Sequence, residues 1–164
     1  MAASTLIVGL GGMGWKIVKM VADMTSPAQR KNIKFVVIDT DANELGALRS
    51  SSFPGRIIQT SARMTVKGYL HNDPYAKEHW FPVHPLLDNK VLTEGASQVR
   101  AISRLAFNTT VRSGGLAPLH DAIDELFRLT GKEIDQALRI IVVSSLAGGT
   151  GSGILLPVGM YIRN

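Results

Sequence analysis

Residues 147–153 read Ala-Gly-Gly-Thr-Gly-Ser-Gly and follow directly on the apolar run Ile140-Ile141-Val142-Val143. No other stretch narrows the possible folds as far. A continuous β-branched run predicts a strand buried in a parallel sheet. The glycines after it predict a loop, and residues 154–163 suit a helix. Such a loop exposes several backbone N–H groups at a helix start, where the helix dipole also favours an anion. It lacks the Gly-Lys-Ser/Thr ending of a Walker A loop, so phosphate would be held by backbone and hydroxyls alone.

The rest of the composition removes several alternatives. The 164 residues suit one domain, and 45% hydrophobic against 19% charged residues fits a globular chain. The absence of cysteine excludes a disulfide scaffold or a Cys-based zinc site and fits a reducing, cytoplasmic location. The net charge of +5 is scattered, with only Arg30-Lys31 adjacent and no interleaved aromatic residues, which argues against a nucleic-acid surface. Residues 1–8 are apolar without a positive flank, so no signal peptide is expected. Residues 140–162 are uncharged and long enough to span a bilayer. Their glycines and Pro157 cluster past the β-branched run, so strand–loop–helix explains them better, and no membrane association is expected.

The remaining pattern alternates strands and helices. Residues 4–8 and 33–38 predict strands, and residues 56–60 a weaker third. Gly9-Leu10-Gly11-Gly12-Met13-Gly14 predicts a first glycine loop, followed by a helix over 15–24. A short helix is expected over 42–48, capped by Asp41. Residues 61–93, with Pro74, Pro82 and Pro85, predict a long irregular excursion, anchored by Trp80-Phe81, with a helical piece near 74–79. Amphipathic helices are expected over 97–111, with Val99, Ile102, Leu105 and Ala106 on one face, and over 116–129, with Leu119, Ile123, Leu126 and Phe127 turned inward and Gly131 ending it. This order predicts an α/β fold, a Rossmann-like parallel sheet with helices on both faces. Ligands bind such sheets at the carboxyl ends of the strands, where both glycine segments and Asp39-Thr40-Asp41 converge.

Other side chains have plainer expectations. Met13, Met20 and Met24 read as core filler. His71, His79 and His84 read as solvated rather than metal-binding. Arg100 and Arg104 read as a solvated helix face, with phosphate contact as the alternative. Asp121, Asp124 and Glu125 read as a solvated surface rather than a catalytic pair.

Taken alone, Gly9-x-Gly11-x-x-Gly14 with Asp39 at the end of the next strand satisfies the dinucleotide fingerprint of an NAD(P)-binding oxidoreductase. That alternative leaves the second glycine segment without a task. Two glycine segments on one rim fit a phosphate chain wrapped from both sides. The chain here resembles the tubulin/FtsZ superfamily, on the side of bacterial tubulin-like proteins. Residues 147–153 match the tubulin signature, residues 9–14 look like that family's first phosphate loop, and Asp39-Thr40-Asp41-Ala42-Asn43-Glu44-Leu45 is similar to the Asn-Thr-Asp-Ala-x-x-Leu segment of FtsZ. Gly95-Ala96-Ser97 is similar to the third loop.

The resemblance implies a GTP or GDP site with Mg²⁺ in a GTPase that self-associates into filaments. It implies that Gly11, Gly12 and Gly14, with Met13 between them, present N–H groups to the α- and β-phosphates. Ala147, Gly148, Gly149, Thr150, Gly151 and Ser152 would enclose the β- and γ-phosphates. Asp41 would approach Mg²⁺, with Asp39 as a second possibility, and Gly95 and Ala96 would sense the γ-phosphate. Trp15 departs from the small polar residue usual in FtsZ, and Asp39 replaces its asparagine. The family's base-reading segments and the acidic loop that completes hydrolysis in a neighbouring subunit come later than Asn164. The chain is therefore expected to be the N-terminal portion of the nucleotide-binding domain, a fragment that hydrolyses GTP negligibly alone. Leu155, Leu156 and Met160 are expected to lack their cover. A non-catalytic interaction module remains a third possibility.

Overall fold

A computed structural model describes residues 4–61, 63–92, 99–129 and 138–163. Four strands form one sheet in the order β3-β2-β1-β4, all parallel: β1 (Thr5–Leu10), β2 (Ile33–Asp39), β3 (Arg56–Gln59) and β4 (Arg139–Ser144). The chain winds from β1 outward through β2 to β3, then returns to lay β4 on the other side of β1. That reversal opens a crevice at the carboxyl ends of β1 and β4, the usual ligand position in a doubly wound sheet.

Alternation along the strands splits the core into two layers. Leu6, Val8, Leu10, Val36 and Ile38 face one side, where they are covered by α6 (Arg100–Arg112), α7 (Ala117–Leu129) and α8 (Gly149–Arg163). Ile7, Phe35 and Val37 face the other, beneath α1 (Gly11–Met24) and α2 (Ala42–Arg49). The expected architecture is thus present. Burial of the apolar strand residues, at about 25 cal/mol per Å², is the main force holding both layers.

Four expectations need correction. β4 is an edge strand among the described residues, and Ile140 and Ile141 are partly exposed rather than buried. Met13, Met20 and Met24 are exposed, together with Ile17 and Val21, because α1 meets the sheet through Val18 and Ala22. Phe127 is 55% exposed, while Leu119 and Leu126 are buried and Ile123 partly so. The excursion after β3 is not irregular. It forms α3 (Val66–Asn72), α4 (Pro74–His79) and α5 (Pro85–Asp88), capped by Thr65, Asp73 and His84 respectively. Val66, Tyr69, Leu70, Ala76, Phe81 and Leu92 close a separate small core against Ile102, Leu105 and Ala106 of α6. Phe81 is buried there beside Trp80, which fits the anchor expected of that pair.

Gly131, expected to end α7, lies outside the described residues. Leu155 packs partly buried against the core, whereas Leu156 and Met160 are exposed as expected. Glu125 is not a free surface carboxylate: it bridges Lys34 (2.9 Å) and Arg56 (2.5 Å), and these cations hold its pKa below the ordinary range. Among the described residues no helix is long and apolar enough to cross a membrane.

Candidate functional site

The first glycine segment contains almost no loop. β1 runs through Gly9 and Leu10, and α1 starts at Gly11, whose φ of +71° makes the sharp turn from strand to helix. An L side chain there would be strained, and its Cβ would lie 2.9 Å from the Gly151 nitrogen. Gly11, Gly12, Met13 and Gly14 supply the first turn of α1. The N–H groups of Gly11, Gly12 and Met13 have no partner within the helix, and no side chain caps this end. Gly14 also lets α1 pass over the end of β4, since a Cβ would stand 2.7 Å from the Val143 carbonyl oxygen.

The second segment is likewise shorter as a loop than its glycines suggest. Only residues 145–148 connect β4 to α8, which begins at Gly149. Gly149, Thr150, Gly151 and Ser152 therefore form a helix first turn, and Ala147 and Gly148 precede it. Gly151 and Gly153 serve close packing rather than turning. A Cβ on Gly151 would sit 2.8 Å from the Leu10 carbonyl oxygen, and one on Gly153 2.4 Å from that of Arg100. At Gly148 an added Cβ meets nothing within 4 Å, so space lies open at the head of α8. Ser152 turns its hydroxyl back onto the Gly148 carbonyl.

The acidic segment closes the rim. Thr40 and Thr150 share a hydroxyl–hydroxyl hydrogen bond of 2.7 Å, joining the end of β2 to the first turn of α8. Asp39 is 2% exposed. Its Oδ1 accepts from the N–H groups of Thr40 (2.7 Å) and Asp41 (3.3 Å), while its Oδ2 is buried with no hydrogen-bond partner. Burial raises the Asp39 pKa; the N–H groups of Asp41 and Thr40 and the Thr150 hydroxyl oppose that rise. Asp41 caps α2, its Oδ1 accepting from Asn43 (2.8 Å) and Glu44 (3.2 Å). Gly95 and Ala96 lie outside the described residues, so their expected role has no structural counterpart here.

Some participants carried little sequence signal. Thr40 was part of the acidic segment expected on the rim, but its partner Thr150 shows only once α8 is folded against it. Glu44 accepts a 2.8 Å bond from the Trp15 indole and lies 3.8 Å from Lys16, so the bulky Trp15 is tied to α2 beside Gly12. Ser103 of α6 lies within 2.9 Å of the Gly149 carbonyl. Arg100 and Arg104 are not a plain solvated face. Arg100 donates to the Leu146 carbonyl (3.0 Å), and Arg104 stacks 4.1 Å from the Trp80 ring centroid.

A parallel sheet with two glycine-built helix starts at its reversal point defines an α/β protein with a doubly wound, Rossmann-like sheet. The sequence comparison then places it more narrowly. Residues 6–164 match the family model described as "Tubulin like", and the chain belongs to that tubulin-like family. Comparison with curated proteins gives no match.

Proposed function

We propose that this chain forms the phosphate-binding part of a GTP site in a tubulin-like GTPase that assembles with copies of itself. The observation that carries this is the meeting of two helix N-termini, α1 and α8, at the crevice between β1 and β4, with Gly11 against Gly151. Each N-terminus presents N–H groups and the equivalent of roughly half a positive charge. A phosphate chain between them satisfies both sets of donors without a lysine.

Mg²⁺ fits the acidic side of the rim. The orphaned Oδ2 of Asp39 is a hard oxygen donor without a partner. Asp41 suits the role less well, because one of its oxygens already holds the α2 cap. When bound, the cation supplies charge neutralisation between phosphate and carboxylate. Among this chain's own residues, the helix N–H groups orient the phosphates and the Thr40–Thr150 bond fixes the rim. Hydrolysis is assigned to an acidic group of a neighbouring subunit, so the isolated chain is expected to turn over GTP negligibly.

The nicotinamide alternative uses only the first glycine segment and leaves the glycine-built start of α8 without a task. Calorimetric titration with GTP, GDP, guanosine and NADH, with and without Mg²⁺, tests the proposal. Affinity should rise with phosphate number and with Mg²⁺. Preference for NADH, or equal affinity for guanosine and GTP, would refute it.

A further inference from the structure

The Glu44 carboxylate flanks the start of α1. A Cβ on Gly12 would lie 3.9 Å from its Cδ and 3.9 Å from its Oε2. Gly12 belongs to the first turn of α1, whose free N–H groups face the crevice donors of α8. Two bonds hold Glu44 in that place. The Trp15 indole donates to its Oε2 (2.8 Å), and that ring packs, partly buried, against the apolar layer under α1 and α2. The Glu44 N–H donates to the Asp41 Oδ1 (3.2 Å), so its backbone is set by the α2 cap. An indole N–H is a neutral donor, which fixes the position of a charge without cancelling it. Lys16 offsets part of that charge from 3.8 Å, but its side chain is 54% exposed and its attraction is screened.

We propose that Glu44, held by Trp15, is a selectivity residue of the phosphate site: it disfavours metal-free nucleotide and so reserves the site for the Mg²⁺ complex. The proposal rests on the phosphate-binding function given above, and it assigns Glu44 no bond to the cation. Its sign follows from charge. The start of α1 attracts phosphate through N–H groups and dipole, whereas the carboxylate repels it from the flank. A bound divalent cation cancels part of the triphosphate charge, so the same carboxylate opposes the complex less. Unit charges about 6 Å apart at surface dielectric change affinity by roughly three- to tenfold. A tie between α1 and α2 alone needs no charge here, since a neutral acceptor serves the indole equally well.

The test titrates the whole chain with GTP by calorimetry, in EDTA and in Mg²⁺ at one ionic strength. Glu44→Gln removes the charge and keeps an acceptor for the Trp15 indole, whose N–H proton signal reports that bond. This variant should bind GTP in EDTA about three- to tenfold more tightly than the parent and change less in Mg²⁺, so the ratio between the two media narrows. Lys16→Gln strips Glu44 of its counter-charge and should move the ratio the other way. Both positions are partly exposed, and circular dichroism checks that the variants fold. Binding by Glu44→Gln that is unchanged, or weakened equally in both media, marks a merely structural tie and overturns the proposal. A ratio moved in the same direction by both variants overturns it as well. If the parent binds GTP no better than guosine in either medium, the phosphate site itself fails and Glu44 loses its role with it; phosphate-dependent binding with an unmoved ratio defeats the Glu44 assignment alone.

Discussion

Within the second glycine segment, Gly153→Ala and Gly148→Ala should act in opposite ways. At Gly153 the added methyl would lie 2.1 Å from the Ser103 Oγ and 2.4 Å from the Arg100 carbonyl oxygen. The hydroxyl can rotate, but only by giving up its contacts with Arg100 (2.8 Å) and Gly149 (2.9 Å), and the carbonyl belongs to the backbone. Helices α6 and α8 must therefore move apart. Overpacking of this kind costs about 1–3 kcal/mol, and a lost buried hydrogen bond about 1 kcal/mol more. Replacing a helical glycine by alanine returns about 1 kcal/mol. The net is a destabilisation of about 2 kcal/mol, or a Tm about 4–8 °C lower for a chain of this size. At Gly148 the methyl meets nothing, so stability should stay within about 0.5 kcal/mol of the parent while nucleotide affinity falls. Scanning calorimetry and a GTP titration on the two variants measure both quantities. A Gly153→Ala protein as stable as the parent, or a Gly148→Ala protein that melts early with its nucleotide affinity intact, refutes this account of the segment.

Asp39→Asn should stabilise the nucleotide-free chain at neutral pH by about 1 kcal/mol, because the buried, half-partnered carboxylate is gone. With its folded pKa raised, Asp39 contributes stability fully below the ordinary aspartate value of about 3.9 and loses it as pH rises through the folded value. Denaturation curves against pH should show that decline in the parent and not in Asp39→Asn, which should also lose the Mg²⁺ dependence of nucleotide binding. Asp41→Ala should cost about 1 kcal/mol through loss of the α2 cap, whereas Asp41→Asn should keep it, as thermal melts will register. Glu125→Gln should cost well under about 1 kcal/mol, since the ion pairs are partly exposed. Because the Glu125 pKa is depressed, that small contribution is present above the ordinary glutamate range and fades as pH falls through the folded value, and it should also fade in high salt.

Strand positions and the two long helices α6 and α7 were readable because apolar runs and helical spacing are local properties. Which side of α1 faces inward was not. Apolar residues nearly surround that helix, and only contact with β1 and β2 selects Val18 and Ala22 over Met20 and Met24. The run 140–143 suggested a strand covered on both faces, but its edge position depends on strand order, which no local pattern encodes. The helical piece at 74–79 was legible from its proline start and became α4, whereas α3 and α5 were missed because each is below the length at which periodicity is visible. The glycine segments were recognised, but the packing reason for several of their glycines was not legible. Of their glycines only Gly11 takes a positive φ; Gly14, Gly151 and Gly153 are small so that helices and strands can touch.

The bond between Thr40 and Thr150 joins positions 110 residues apart. At ribosomal rates of about 5–20 residues per second, roughly 5–20 seconds separate the synthesis of one partner from that of the other. Throughout that interval β1 and β2 can pair and α1 can dock, but the flank of β1 reserved for β4 stays bare. A nascent chain thus makes the first half of its crevice long before the second exists, and it should gain no grip on triphosphate until α8 has left the exit tunnel.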